Sequence, residues 1–344
     1  MTEKYKIAIV GATSIRGKEL NEALSESAFS TSEIMLFDDE SQAGQLEAAG
    51  DEATVIQGIE NDSFAHVDFA FFTGSEEMTR KHWKEALSGG ASIVDLSSAL
   101  EDIPGVLVRA PWLLDESTTS QPEAVNLSTP AIIPAHPVAV ALALIMSRLR
   151  KAGDVRFASA TVLEPASEYG RAAIDELHQQ TVALLNFQSL PKEVYGTQVA
   201  FNMVSPTGKP NLIGKSEEHI RRHYRLLRTL PGDIGIQVLH APVFHGAGIS
   251  FAIEFDQPLL PERVEAALFG DHIEIVSGDA EPPDNLRTAG QNEVLAQVRS
   301  QGGTNEMTNR FWIWATLDNL KIASLNAVAC AMELRRLRPK GKVQ

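Results

Sequence analysis

Short apolar runs and longer amphipathic stretches alternate along the first third of the chain. Lys6-Ile-Ala-Ile-Val10 is apolar, rich in β-branched residues and stops at Gly11, and apolar residues then recur at helical spacing over residues 17–24. That pattern predicts a strand, a tight turn and a helix. Further strand-like runs lie at residues 33–37, 54–56, 68–72 and 92–95, with helical periodicity over residues 76–87. Strands separated by helices need crossover connections, which predicts a parallel sheet with ligands beyond the carboxyl ends of its strands. Residues 1–130 therefore read as a doubly wound α/β domain of nucleotide-binding type.

A stretch rich in Ser, Thr and Pro at residues 116–130 precedes a change of rhythm. Residues 132–148 read as a strand end leading into an apolar helix, and residues 155–163 as a strand. Helical periodicity returns at 172–186 and 216–230, and strands are predicted at 235–243, 249–255 and 311–316. This second region is α+β. Residues 323–337 carry apolar positions at helical spacing before a basic tail, and the Gly-, Pro-, Asn- and Gln-rich residues 277–308 read as loop. No segment repeats.

The chain has 344 residues, enough for about two domains. Thirty Lys and Arg against 45 Asp and Glu leave a formal charge of -15, which disfavours a nucleic-acid or anionic-membrane partner. No run approaches the roughly 18 apolar residues of a membrane span, and Glu3 sits where a secretory leader would be cationic. The expectation is a soluble, cytoplasmic protein. Cys330 is the one cysteine, which excludes an internal disulfide and any multi-cysteine metal site.

Gly11, Ala12, Thr13, Ser14, Ile15, Arg16 and Gly17 occupy the turn between the first strand and the first helix. Glycines there let the backbone turn tightly and approach a pyrophosphate favoured by the helix N-terminus. Ser14 takes the middle glycine position, where its Cβ works against close approach. Nucleotide binding and a merely structural turn both remain open. Asp38 and Asp39 follow the second strand, where a carboxylate accepts hydrogen bonds from a ribose diol and repels a 2′-phosphate, favouring NAD over NADP. Solvated loop carboxylates are the alternative.

Eight segments in order resemble the aspartate-semialdehyde dehydrogenase family, and within it the Usg-type paralogues that have lost catalytic residues. They are Gly11-Ala-Thr-Ser-Ile-Arg-Gly-Lys-Glu-Leu20, Phe72-Thr-Gly74-Ser75, Val94-Asp-Leu-Ser-Ser-Ala99, Ile132-Ile-Pro-Ala-His-Pro-Val138, residues 167–177, Ala200-Phe-Asn-Met203, Ala241-Pro-Val-Phe-His-Gly246, and Asp318-Asn-Leu320 with Leu325-Asn-Ala-Val328. The resemblance implies a Rossmann-like domain over residues 1–130, with Gly74 joining Gly11–Gly17 and Asp38 at the cofactor. It also implies an α+β dimerisation and substrate domain over 131–319 and a final helix, 320–344, packing back on the first domain. A homodimer with a small-molecule ligand follows from the same resemblance.

The family's chemistry needs a thiolate to attack the aldehyde, a base, and cations for the substrate carboxylate and phosphate. The resemblance puts Val138 at the nucleophilic cysteine, Ala247 at the catalytic histidine, His240 at the carboxylate-binding arginine and Glu164 at the glutamine. Glu101 stands at the phosphate-binding arginine and Leu96 at the asparagine. No catalytic residue is then intact. His136, Glu164, His240 and His245 remain as residues of the old pocket, and no His-x-x-x-His spacing unites them into a metal site, so none is expected. Glu218 and Arg221, three apart on one helix, are similar to the family's Glu-x-x-Lys substrate clamp, with a plain surface ion pair as the alternative. Cys330 lies in an apolar helical run and reads as a buried thiol rather than a substitute nucleophile. A protein that keeps the fold and NAD binding without the dehydrogenase reaction is the leading expectation. The rivals are an oxidoreductase or other enzyme using a rebuilt His and Glu pocket, and a binding or regulatory partner protein.

Overall fold

The computed structural model describes residues 4–49, 52–60, 62–114, 124–206, 212–227, 234–278, 280–301 and 306–337. The chain divides into two compact units. The first comprises Met1–Pro111, Gln121–Ala135 and Ala323–Gln344. Its elements are β1 (Lys6–Val10), α1 (Ile15–Ser25), β2 (Glu33–Asp38), β3 (Leu46–Ala49), β4 (Glu52–Val55), β5 (Gln57–Gly58), β6 (Phe69–Phe72), α2 (Glu76–Ser88), β7 (Ser92–Asp95), β8 (Leu107–Arg109) and β9 (Ile132–Pro134). Seven of these strands form one parallel sheet in the order β5-β2-β1-β6-β7-β9-β8.

Successive side chains of a strand point to opposite faces, and β1 fills both sides. Ile7 and Ile9 pack with Leu20 and Leu24 of α1 and with Ala327, Ala331 and Leu334 of the C-terminal helix, Asn319–Leu337. Ala8 and Val10 pack with Trp83 and Ala86 of α2. The run at residues 54–56 does not supply the expected strand of this sheet. β4 instead pairs antiparallel with β3 in a separate hairpin, and the sheet's edge is β5, in register with Phe37 and Asp38. Leu46 and Val55 face solvent and only Ile56 is buried, so the run holds too little apolar surface for an interior position. β8 escapes the hydrophobic pattern because it contains Arg109, a buried guanidinium paired with Glu333.

The second unit comprises Trp112–Ser120 and His136–Ile322. It contains α3 (Pro137–Ala152), β10 (Val155–Glu164), a short 3-10 helix (Ala166–Tyr169), α4 (Arg171–Leu185), α5 (Leu212–Leu227), β11 (Gly235–His240), β12 (Ala247–Leu259), α6 (Pro261–Leu268), β13 (Ile273–Ile275), β14 (Val294–Ser300) and β15 (Thr308–Leu317). Six strands form a mixed sheet, β11-β10-β12-β15-β14-β13, parallel at its two edge pairs and antiparallel between. α3 is buried along nearly its whole length, which explains its apolar composition, and Pro137 sits in its first turn, where no N–H is needed.

Four expectations change here. Residues 277–308 contain β14, hidden because Gln297 and Arg299 interrupt its apolar residues. β11 stops at His240 rather than 243, since Pro242 has no N–H for the ladder. α5 begins four residues before the helix read from Ser216, and 228–230 lie outside the described residues, as do 115–123 of the Ser- and Pro-rich stretch. α6 was not foreseen because only Val264 and Leu268 of its eight residues are buried. Among the described residues no helix is long and apolar enough to cross a membrane.

Candidate functional site

In the first unit the chain leaves β1 and turns through Gly11 into α1. Gly11 has φ +88°, and a Cβ there would collide with the backbone of Gly74 after β6. A Cβ on Gly17 would lie 2.6 Å from the Gly11 carbonyl oxygen. Ser14 is the N-cap of α1: its Oγ accepts the Gly17 N–H at 2.9 Å and donates to the Thr73 carbonyl at 3.0 Å. A glycine could not make this cap. Asp38 is not a solvated loop carboxylate. It is buried, with Oδ2 accepting the N–H and hydroxyl of Thr13 at 2.8 and 2.7 Å and Oδ1 accepting the Asp39 N–H at 2.9 Å, whereas Asp39 itself is exposed. The Gly11 and Ala12 amides go to the Phe37 carbonyl. Since these amides are committed inside the protein, an anion at this turn would face the first turn of α1, at Ile15 and Arg16.

In the second unit, His136 caps α3. Its Nδ1 accepts the Val138 N–H at 3.2 Å, so the neutral ring carries its proton on Nε2, which faces Glu168 Oε1 at 3.1 Å and Glu164 Oε1 at 3.9 Å. The His136 N–H is donated to Nδ1 of His223 at 2.8 Å. The His223 proton therefore sits on Nε2, 2.9 Å from Nε2 of His219 one turn away on α5. With Nδ1 of His223 taken by the His136 N–H, the Nε2 atoms of His223 and His219 face one another.

Glu164 ends β10, and its two oxygens accept the hydroxyls of Tyr169 and Ser216, each at 2.6 Å. Burial and the adjoining Glu164 carboxylate push the Tyr169 phenol far above its ordinary value, so it stays a donor. Glu168 Oε2 accepts from Asn319 at 3.0 Å, and Asn319 Oδ1 accepts the Ser167 hydroxyl at 3.1 Å. Ser167 Oγ lies 3.1 Å from His245 Nδ1, and His245 Nε2 lies 2.8 Å from Asp318. Burial alone would raise Asp318. Hydrogen bonds from His245 and from the N–H groups of Lys321 and Gly290, with the charge of His245, outweigh it and hold the carboxyl below the usual range.

His240, the last residue of β11, is fully buried between Tyr195 and Tyr169, with ring centroids 4.8 and 5.7 Å away. Burial pushes its imidazole down to about 4, against an opposing pull from the Glu164 backbone, so it is neutral near pH 7.

Residues 6–124 match the semialdehyde dehydrogenase NAD binding domain, and residues 146–322 the semialdehyde dehydrogenase dimerisation domain. The chain belongs to the semialdehyde dehydrogenase family. Its relatives in that family include a USG-1 protein homolog of Azotobacter vinelandii, 30% identical over 336 residues that cover 96% of this chain and 98% of the relative. The aspartate-semialdehyde dehydrogenase of Rickettsia bellii is 28% identical over 345 residues, 97% of this chain and 98% of the relative. A solved structure of a probable aspartate-semialdehyde dehydrogenase from Pseudomonas aeruginosa superposes with TM-score 0.82 at 26% identity, covering 98% and 99% of the two chains. Aspartate semialdehyde dehydrogenase II of Vibrio cholerae, solved in complex with ASA, shares the fold with TM-score 0.83 at 24% identity, covering 97% and 99%. The family resemblance read from the motifs holds, as does the expected architecture of a Rossmann-like sheet and an α+β dimerisation domain.

Against this family background, His136, Glu164 and Glu168 form one cluster, and His240 lies beside Glu164 in strand register. His245 is joined to His136 through Ser167, Asn319 and Glu168. Val138 is the second residue of α3 and Ala247 the first of β12, both buried hydrocarbon. Leu96 and Glu101 belong to the first unit. Arg221 pairs with Glu217 at 3.0 Å, not with Glu218, because Glu217 is held in place by the Val238 N–H. Cys330 is fully buried, and burial together with Glu333 pushes its thiol well up, opposed by Arg109. Sequence reasoning missed Glu168, His219 and His223. The last two do show a His-x-x-x-His spacing, though not among the residues the family motifs single out.

Proposed function

We propose that this semialdehyde dehydrogenase-fold protein retains a dinucleotide site that prefers NAD to NADP and lacks the family's phosphorylating dehydrogenase activity. What supports the second half is the first turn of α3, where the family resemblance expects the nucleophile and the chain has Val138. An isopropyl group has no lone pair to attack a carbonyl, so the covalent route is removed rather than slowed. The nearby hydroxyls do not replace it: Tyr169 and Ser216 donate to Glu164, and Ser167 donates to Asn319. The His136 Nδ1 lone pair is held by the Val138 N–H, so it is not poised as a base.

A nicotinamide nucleotide supplies hydride-transfer chemistry when bound. Gly11, Gly17 and Gly74 keep the backbone close at its turn, the first turn of α1 would face the pyrophosphate, and Asp38 with Asp39 puts negative charge where a 2′-phosphate would lie. On this reading residues 1–130 with residues 320–344 hold the nucleotide, and residues 131–319 carry the contacts of a cytoplasmic homodimer, as the match to a dimerisation domain supports.

The purified protein should give no phosphate-dependent NAD(P)H absorbance with aspartate semialdehyde. Val138→Cys should restore little, and Val138→Cys with Ala247→His more. Turnover by the unmodified chain that survives Cys330→Ala would overturn the reading. Calorimetry should find NAD bound more tightly than NADP; the reverse order would reassign Asp38 and Asp39, and binding of neither would reduce the Gly11–Gly17 turn to a structural role. Light scattering should give about twice 37.4 kDa.

A further inference from the structure

Both ring nitrogens of His240 and the hydroxyl of Tyr195 are buried, and none has a partner in good hydrogen-bonding geometry among the described residues, although the Glu164 backbone lies near enough to His240 to draw its imidazole upward. Their rings lie 4.8 Å apart and 36° from parallel, and Tyr169 closes the other side. Buried polar groups in folded proteins are almost always met by a partner. The adjoining polar groups are already engaged: Tyr169 and Ser216 with Glu164, and Glu168 with His136 and Asn319. Tyr195 is only partly buried as a residue, so its ring reaches from the surface to the buried imidazole.

We propose that His240 and Tyr195 form a subsite for an uncharged ligand group that both donates and accepts hydrogen bonds, a carboxamide or an alcohol. A neutral imidazole offers one donor and one acceptor, and a phenol offers the same, so a group that both donates and accepts is the kind that meets all of them at once. A carboxylate only accepts, and would bring a further negative charge to a cluster that already holds Glu164 and Glu168. His240 is neutral near pH 7 and offers no counter-charge. The aromatic walls suit a planar, uncharged group. The class of group differs from the anion that the family resemblance assigns to this position. The inference deepens the reading that the family's own reaction is lost, and its test involves no turnover, so failure of one leaves the other standing.

Acetamide, ethanol and acetate are titrated into the full-length protein while the imidazole nitrogen resonances of His240, assigned by their loss in His240→Phe, are followed by NMR. Acetamide and acetate have the same shape and differ in charge. The uncharged probes should shift the His240 resonances, with acetate at pH 7.5 binding about tenfold or more weakly. Tyr195→Phe should weaken acetamide by about tenfold with an unchanged melting temperature. Acetate binding as tightly as acetamide would overturn the proposal. So would resonances that no probe moves, the outcome if the groups hold an ordered water only.

Discussion

Acidification should weaken this fold through His240. Its imidazole titrates near 6.5 when unfolded and is pushed down to about 4 by burial in the native state. Between those values the unfolded chain binds a proton that the folded chain refuses, so stability rises with pH across the window. The contribution is fully present above about 6.5 and is lost as pH falls through about 4. At about 1.4 kcal/mol per pH unit, the gap is worth about 3 kcal/mol, a large share of a typical domain's stability. Urea unfolding followed by circular dichroism at several pH values between 7.5 and 4 reads this directly. The comparison is with His240→Phe, which removes the titration while keeping a ring between Tyr169 and Tyr195. Asp318, held below its usual range, acts at still lower pH, and Asp95, raised by burial, acts in the opposite direction. Both are common to the two proteins and cancel. The wild type should lose more stability than the variant as pH falls. Equal losses would refute the assignment of a neutral buried imidazole.

Gly11→Ala combines a φ of +88° with a collision against the Gly74 backbone, and should cost about 2–5 kcal/mol, lowering the melting temperature and abolishing any NAD binding; an unchanged melt would contradict the turn geometry. Cys330 should resist an aromatic disulfide reagent in the native protein and react at once in urea, because the attacking thiolate is suppressed by burial; rapid labelling of the folded chain would refute this.

The parallel sheet was legible because β1 and β6 are buried almost throughout and read as apolar runs, and β2 and β7 keep apolar centres, Ile34–Phe37 and Ile93–Val94, between polar ends. β8 and β14 were not, since each carries an arginine and neither has the clean alternation of a half-buried strand. Site legibility divides in the same way. His136, Glu164 and His240 could be placed from motif order, because each stands at the end of an element that the sequence marks. The commitments of those residues could not: that His136 spends Nδ1 on the α3 cap, or that His223 reaches it from α5, depends on contacts 2 and 87 positions away, which no periodicity records. Asp38 shows the same limit, since a carboxylate that reads as ligand-facing is braced against Thr13.

The last helix gives the first unit a delayed birth. Ala327, Ala331 and Leu334 fill the same side of the core as Ile7 and Ile9, yet they leave the ribosome after the whole of residues 136–322. At ordinary rates of synthesis that separation is roughly 10–40 s. Through that interval the amino-terminal sheet has one apolar face incompletely covered, while the second unit, apart from residues 112–120 one continuous stretch, has all it needs to close. The usual amino-to-carboxyl order of domain folding should therefore be inverted here. A nascent chain stalled before residue 323 should protect the second unit from protease and leave β1 open to a chaperone.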